Sequence, residues 1–167
     1  MTGPQAPQTT RNASPRRLAR LAAVQALYQL DVNGGEPSRV ILEFLQHRLN
    51  DIVEGLDLTQ LDRQLFNDLV AGVAQDREAL TQMVAPALVE GWPLERLEVL
   101  LRLILCCGAF ELWQCSDVPA RAVISEYLEV THAFFDGKEP SFVNGVLNRL
   151  AHSLREDEFG TAAGEGK

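Results

Sequence analysis

The chain has 167 residues, 46% of them apolar and 23% charged, and a net charge of −8. This composition excludes a disordered polymer and suffices for one domain with a real core. The acidic balance excludes a general nucleic-acid coating protein, and no run of ~20 apolar residues is present to span a bilayer.

Residues 1–13 read as a Pro/Gln/Thr-rich flexible tail, without the apolar segment of a secretory signal, so a cytoplasmic location is expected. Ser14-Pro15 then starts a helix expected from Pro15 to Val32, in which Leu18, Leu21, Ala22 and Gln25 recur on one face. Arg11, Arg16, Arg17 and Arg20 all precede the first acid of the chain, Asp31. The remainder therefore carries −12, an acidic body with one basic edge.

After Asn33-Gly34-Gly35, a second helix follows Pro37 with a stripe of Val40, Ile41, Phe44, Leu45 and Leu49. A third is expected from near Thr59, with Asp62 in its first turn and an apolar face of Leu61, Leu65, Phe66, Leu69, Val70 and Val73. Asp76 is positioned to cap a fourth, which Pro86 bends and Gly91 ends. Val99 to Phe110 is apolar around nearly the whole helix except for Arg102, the mark of a helix surrounded by others. Gly108 there would admit a neighbouring helix. The segment 116–119 opens a sixth helix bearing Val123, Ile124, Tyr127, Leu128 and Val130. Pro140-Ser141 opens a seventh bearing Phe142, Val143, Val146, Leu147 and Leu150. Gly145 costs ~1 kcal/mol against alanine within that helix, most simply offset by a close helix–helix contact. Residues 156–167 read as a flexible C-terminal tail. With no sustained alternation and no repeat, the fold class is all-α, a bundle of about seven helices spanning 14–155.

Candidate chemistry is sparse. On the first helix Arg17 and Tyr28 differ by ~20° in azimuth and ~16 Å along the axis, with Arg20 within ~80° of Tyr28. Guanidinium groups can grip phosphates and a tyrosine ring can stack on a base, the minimum for single-stranded RNA. A solvated arginine face with Tyr28 in the core fits the same pattern. Lys138 is the only Lys or Arg between Arg121 and Arg149, and Phe142 lies in a helical first turn, where backbone amides favour anions. Cys106, Cys107 and Cys115 lack paired zinc-ligand spacing, and His47, His132 and His152 are far apart in sequence, so the thiols read as reduced core residues. Glu111 and Glu126, beside or within apolar stretches, read as structural carboxylates. No metal, cofactor or phosphate-loop motif is present, and a non-enzymatic protein is expected.

Three separated blocks carry a resemblance. They are RRLARLAAVQALYQLD (16–31), GWPLERLEVLLRLILCCGAFELWQCSDVP (91–119) and AVISEYLEVTHAFF with SFVNGVLNRL (122–150). In that order they resemble the NusB family of bacterial transcription antitermination factors. The resemblance implies two packed helical sub-bundles that bind boxA-type single-stranded RNA. It further implies a partner, the ribosomal protein NusE, within an antitermination complex of RNA polymerase and other Nus factors. Carried over by position, the RNA contacts fall on Arg16, Arg17, Arg20, Tyr28, Lys138, Ser141 and Phe142. The NusE contacts fall on Glu95, Glu98 and Leu101. The chain departs from the family pattern at Cys106 in place of arginine, Leu101 in place of an acid, Ser125 in place of asparagine and His132 in place of lysine. Those departures bear on the partner surface more than on the RNA edge. They also leave room for a NusB-like paralogue that binds protein without boxA. NusB-like domains precede ribosomal RNA methyltransferases as well, but a catalytic domain is not expected here.

Overall fold

In the computed structural model, which describes residues 13–48, 52–53, 56–88 and 97–159, Ser14 caps the first helix. Its hydroxyl accepts from the Arg17 amide at 3.1 Å, and Pro15 occupies the first position, where no donor is lost. This helix, α1, is Pro15–Asn33 and closes where Gly34, at φ 73°, donates its amide to the Leu30 carbonyl. Positive φ is cheap only for glycine, so the sequence places the stop there. The chain then divides into two compact units, up to Ala74 and from Gln75.

In the first unit α1 packs on α2, Pro37–Glu43, which passes into a π-helical turn, Phe44–Arg48. A short antiparallel ribbon pairs Ile52–Val53 with Leu56–Asp57, and a 3₁₀ turn spans Leu58–Gln60. Helix α3 is Arg63–Gln75. It begins later than the sequence reading places it, because Asp62 stands before the helix as its cap: the carboxylate accepts from the Leu65 amide at 3.0 Å. The Asp62 amide in turn donates to the Pro15 carbonyl at 2.9 Å, tying the start of α3 to the start of α1. Every apolar residue expected on the α3 stripe is buried, and Phe44 meets Phe66 with ring centroids 5.2 Å apart. The burial of α1 exceeds the single face expected for it. Ala19, Ala23, Val24, Ala26 and Leu27 are buried along with Leu18, Leu21 and Ala22, so its middle is covered on all sides.

In the second unit α4 is Arg77–Val84, followed by a 3₁₀ turn at Ala85–Ala87 that contains Pro86. Asp76 stands at the cap position of α4, but its carbonyl rather than its carboxylate is used, accepting from the Leu80 amide. Helix α5, Val99–Gln114, is the centre of this unit and touches α4, α6 (Ala120–Phe134) and α7 (Glu139–Leu154). Its all-round apolar surface is buried from Leu103 to Leu112. At Gly108 a Cβ would stand 2.9 Å from a Leu147 methyl, so the missing side chain is what lets α7 approach. Gly145 lacks the close helix–helix contact expected for it: the nearest neighbour of a Cβ there is the Arg149 guanidinium on its own helix, at an ordinary 3.4 Å. That guanidinium donates from Nε to the Ala87 carbonyl at 2.7 Å, fastening α7 to the 3₁₀ turn.

Residues 156–159 form a short helix, α8 (Glu156–Phe159), where the sequence reading places the start of a tail. Arg155 explains it. Its buried guanidinium donates to the carbonyls of Leu112 (2.7 Å), Cys115 (2.9 Å), Val118 (3.0 Å) and Glu111 (3.2 Å), and pairs with Glu158. Glu158 also accepts from the Ala120 amide at 2.8 Å, which caps α6 from thirty-eight residues away. Among the described residues the fold therefore has eight α-helices, and no helix is long and apolar enough to cross a membrane.

Replacing Arg155 by alanine strands the buried Leu112 carbonyl, removes a second donor from those of Glu111 and Cys115, and leaves Glu158 without its cation, so a loss of about 3 kcal/mol is expected in urea unfolding. The amide of Ala120 and the Arg155 pair hold the Glu158 carboxyl below its ordinary range. A carboxyl whose folded-state pKa is lowered contributes stability above its unfolded pKa and loses it as pH falls through the folded value. The urea midpoint of the native chain should accordingly fall on acidification below the usual carboxylate range. Glu158→Gln should flatten that acid limb while leaving the limb above neutrality unchanged.

Candidate nucleic-acid interface

The candidate RNA residues lie on one element of each unit, α1 in the first and the start of α7 in the second. On α1, Arg16 is exposed, with a guanidinium nitrogen 3.9 Å from Asp62, a surface pair worth little on its own. Arg17 is half-buried, and Tyr28 is 40% exposed, one of four large hydrophobic side chains left open to solvent among the described residues. The tyrosine is thus on the surface rather than in the core.

Arg20 is placed differently, at only 3% exposure. It shares its line along α1 with Ala23 and Leu27, both fully buried, and that apolar i+3, i+7 company was the sequence signal for its burial. The strip between Arg17 and Tyr28 is also closed to solvent, with Leu21 at 1% and Val24 at 0%. The basic end and the aromatic end are therefore two separate exposed patches on one helix, ~16 Å apart, and not a continuous track.

At the start of α7, Lys138 and Ser141 are exposed and Phe142 is half-buried, all within one helical turn. The Lys138 carbonyl accepts from the Phe142 amide at 3.2 Å, which fixes the ring relative to the lysine backbone. Glu139 lies in the first turn and already places a carboxylate at the positive end of this helix. One of its oxygens is buried without a hydrogen-bond partner, against the space left by the missing side chain of Gly137. An incoming phosphate here would be met by the Lys138 ammonium, since the amide end of the helix is already matched by an anion.

Of the candidate partner residues, Glu95 lies outside the described residues. Glu98 is exposed immediately before α5, and its carbonyl accepts from the Arg102 amide at 3.0 Å. Leu101 is 7% exposed, so it packs inside the second unit; a helix that is apolar all round gives no sequence clue to which residues face outward.

The remaining reactive groups are spent internally. Cys106 and Cys107 are buried and Cys115 is half-buried, and none of the three is in a disulfide. Burial, with Cys106 and Glu111 close by, pushes the Cys107 thiol well above its usual range, so it stays protonated and a poor nucleophile. Fully buried Glu111 accepts from the Tyr127 hydroxyl at 2.5 Å, which gives the buried carboxyl group a hydrogen-bond partner. Among the described residues no cluster of three His, Cys, Asp or Glu side chains is placed to hold a metal ion.

With this geometry in hand, comparison with known proteins is informative. Residues 17–152 match the model of the NusB family. The transcription antitermination protein NusB of Rhodopseudomonas palustris (strain BisB18) is 44% identical over 154 residues, covering 92% of this chain and 91% of that protein. Its counterpart in Caulobacter vibrioides is 46% identical over 142 residues, 85% and 95% of the two chains. A solved structure of T. maritima NusB shares the fold, with a TM-score of 0.70 at 24% identity over 88% of this chain and 98% of that one.

The two classes of arginine on α1 should separate experimentally. Arg20→Ala removes a buried side chain and is expected to lower the thermal midpoint clearly. Arg16→Ala should stay within about 0.5 kcal/mol of the native stability, as surface substitutions do, with half-buried Arg17→Ala falling between the two. Equal stability losses at all three positions would contradict the placement described here.

Proposed function

This chain belongs to the NusB family of transcription antitermination proteins, and from that premise we propose that it is an RNA- and protein-binding adaptor in antitermination. Its RNA is boxA-type single-stranded RNA, its protein partner is NusE, and it works within a complex on elongating RNA polymerase. The observation that carries this reading is the acid-free, arginine-led start of α1, with an exposed tyrosine, in a chain of net charge −8.

The division of labour follows from exposure. Arg16 and Arg17 meet phosphates, and Tyr28 offers a ring face to a base farther along the same helix. Lys138, Ser141 and Phe142 form a second contact of the same kind, one cation beside one ring. Arg20 supports this surface from within α1 instead of touching RNA. On the partner side Glu98 is the exposed candidate, and Leu101 supports it from beneath. The acidic remainder of the chain discourages indiscriminate RNA binding, so affinity depends on the boxA sequence and on NusE.

A second reading, a protein-binding module without boxA recognition, is favoured by the burial of Arg20 and of the strip between Arg17 and Tyr28. Titration of boxA and scrambled RNA, each with and without NusE, separates the two. The adaptor reading expects a preference for boxA that NusE strengthens; NusE binding with no preference between the RNAs would establish the module. Within the adaptor, Tyr28→Ala should weaken boxA binding by ~1–3 kcal/mol through lost stacking. Arg17→Ala should shallow the slope of log K against log salt by about 0.7, one phosphate contact on a single strand. Unchanged affinity in both variants would remove α1 from the RNA site.

A further inference from the structure

Outside the surfaces already described, the second unit carries an open groove of about 420 Å³ between α6 and α7, closed at one end by Phe159 of α8. Ile124 and Leu128 supply its apolar floor, and Ser125, Asn144 and Asn148 stand along it. We propose that this groove docks an extended segment of a protein partner that carries a carboxylate next to an apolar side chain.

Three observations select that occupant. The first is charge. Although the chain has 23 acidic residues, no Asp or Glu is among the described residues that line the groove, and its one formal charge is Arg121. The Arg121 guanidinium sits 5.8 Å from the centroid of the Phe159 ring, and with the described residues it makes no ion pair. A cation–π contact at that distance holds the guanidinium near the ring while leaving its N–H groups for a carboxylate.

The second is hydrogen bonding. Asn148 donates from its side chain to the Asn144 carbonyl (2.9 Å) and side-chain oxygen (3.0 Å), so the two amides brace each other. His152 spends Nδ1 on the Asn148 carbonyl at 2.8 Å and stacks on Phe159 with centroids 4.2 Å apart. What remains is an Asn148 oxygen acceptor, an Asn144 amide donor, the Ser125 hydroxyl and the His152 Nε2. Donors and acceptors set along a row suit a peptide backbone, which offers both at every residue.

The third distinguishes a peptide from a nucleic acid. Glu156 and Asp157 are exposed on α8 beside the Phe159 wall. A polyanion is repelled by a chain of net charge −8 that carries those two further carboxylates on α8, whereas a single carboxylate on a neutral backbone gains the guanidinium with far less repulsion. The wall itself is held in place, because Arg155 and Glu158 fasten α8 immediately before Phe159.

The test is selection of a random-peptide display library on the full chain, followed by titration of the recovered peptides and of a uridine RNA oligomer into isotope-labelled protein. The expected result is a recovered pattern pairing Asp or Glu with an apolar residue. Such peptides should shift the signals of the Arg121 Nε–H and of the Asn144 and Asn148 side-chain amides. Exchanging the peptide acid for its amide, or Arg121→Ala in the protein, should weaken binding by about tenfold or more. Arg121 is exposed, so that variant should keep the native spectrum elsewhere. Recovery of no peptide, recovery of peptides without an acid, or affinity indifferent to Arg121→Ala would each overturn the proposal. So would stronger shifts in the groove from the RNA oligomer, or a chain dimer that Arg121→Ala dissolves. None of these outcomes depends on boxA or NusE binding.

Discussion

The second unit depends on one side chain, Arg155. A helix as apolar as α5 is driven inward along its whole length, but its last carbonyls are then carried away from water, and beyond Glu111, whose carbonyl accepts from the Cys115 amide, they lack a helical partner. The Arg155 guanidinium answers this directly, donating to the carbonyls of Glu111, Leu112 and Cys115 at the end of α5 and of Val118 in the following turn. Arginine suits this task because its fork presents several donors in fixed directions and never loses its charge. A lysine in the same place could reach one or two of those oxygens. Glu158 then supplies the charge that the buried guanidinium requires, and with its other oxygen caps α6. One residue thus fastens the end of α5, the start of α6 and the whole of α8.

Gly108 and Gly145 show how the same unit distributes space. Gly108 is a gap in α5 that Leu147 fills, and it lets two apolar helices pack more closely than any side chain would allow. At Gly145 the nearest neighbour of a Cβ is the Arg149 guanidinium of the same helix at an ordinary 3.4 Å, so close packing does not offset the propensity lost there as it does at Gly108. Sequence alone shows the cost of each glycine and not whether packing offsets it.

The parts of the fold legible in the sequence were those written in strong local signals. Ser14-Pro15, Gly34 and the apolar stripe of α3 each state their structure within a few residues, and each is found. Misreadings arose where the deciding partner is distant in sequence. Glu156–Phe159 is too short to specify a helix and forms one because Glu158 meets Ala120 and Arg155. Alanines hid the burial of α1, since alanine reads as neutral in an apolar pattern and yet permits the closest packing. The candidate site was legible in the same proportion. Exposed Arg16 and Lys138 follow from the residue types, whereas the exposure of Tyr28, for which the sequence also allowed a place in the core, and the burial of Arg20 and Leu101 are properties of what surrounds them.

Reactivity in this molecule is concentrated at its surface. Glu111 is buried, but the Tyr127 hydroxyl fixes it; Cys107 is buried, and burial keeps its thiol protonated. Thr131, also buried, returns its hydroxyl to the Tyr127 carbonyl at 2.6 Å on its own helix. These groups specify packing, because a buried polar atom with one good partner permits few alternative arrangements. The side chains placed to meet other molecules are carried on helices and reach the surface: a ring, exposed Arg16 and half-buried Arg17 on α1, a lysine at the start of α7, and Arg121 held over Phe159. Helices fix the positions of these groups while leaving their tips mobile. That combination suits recognition of a flexible strand, whose phosphates, bases or side chains can be met one at a time along a preformed surface.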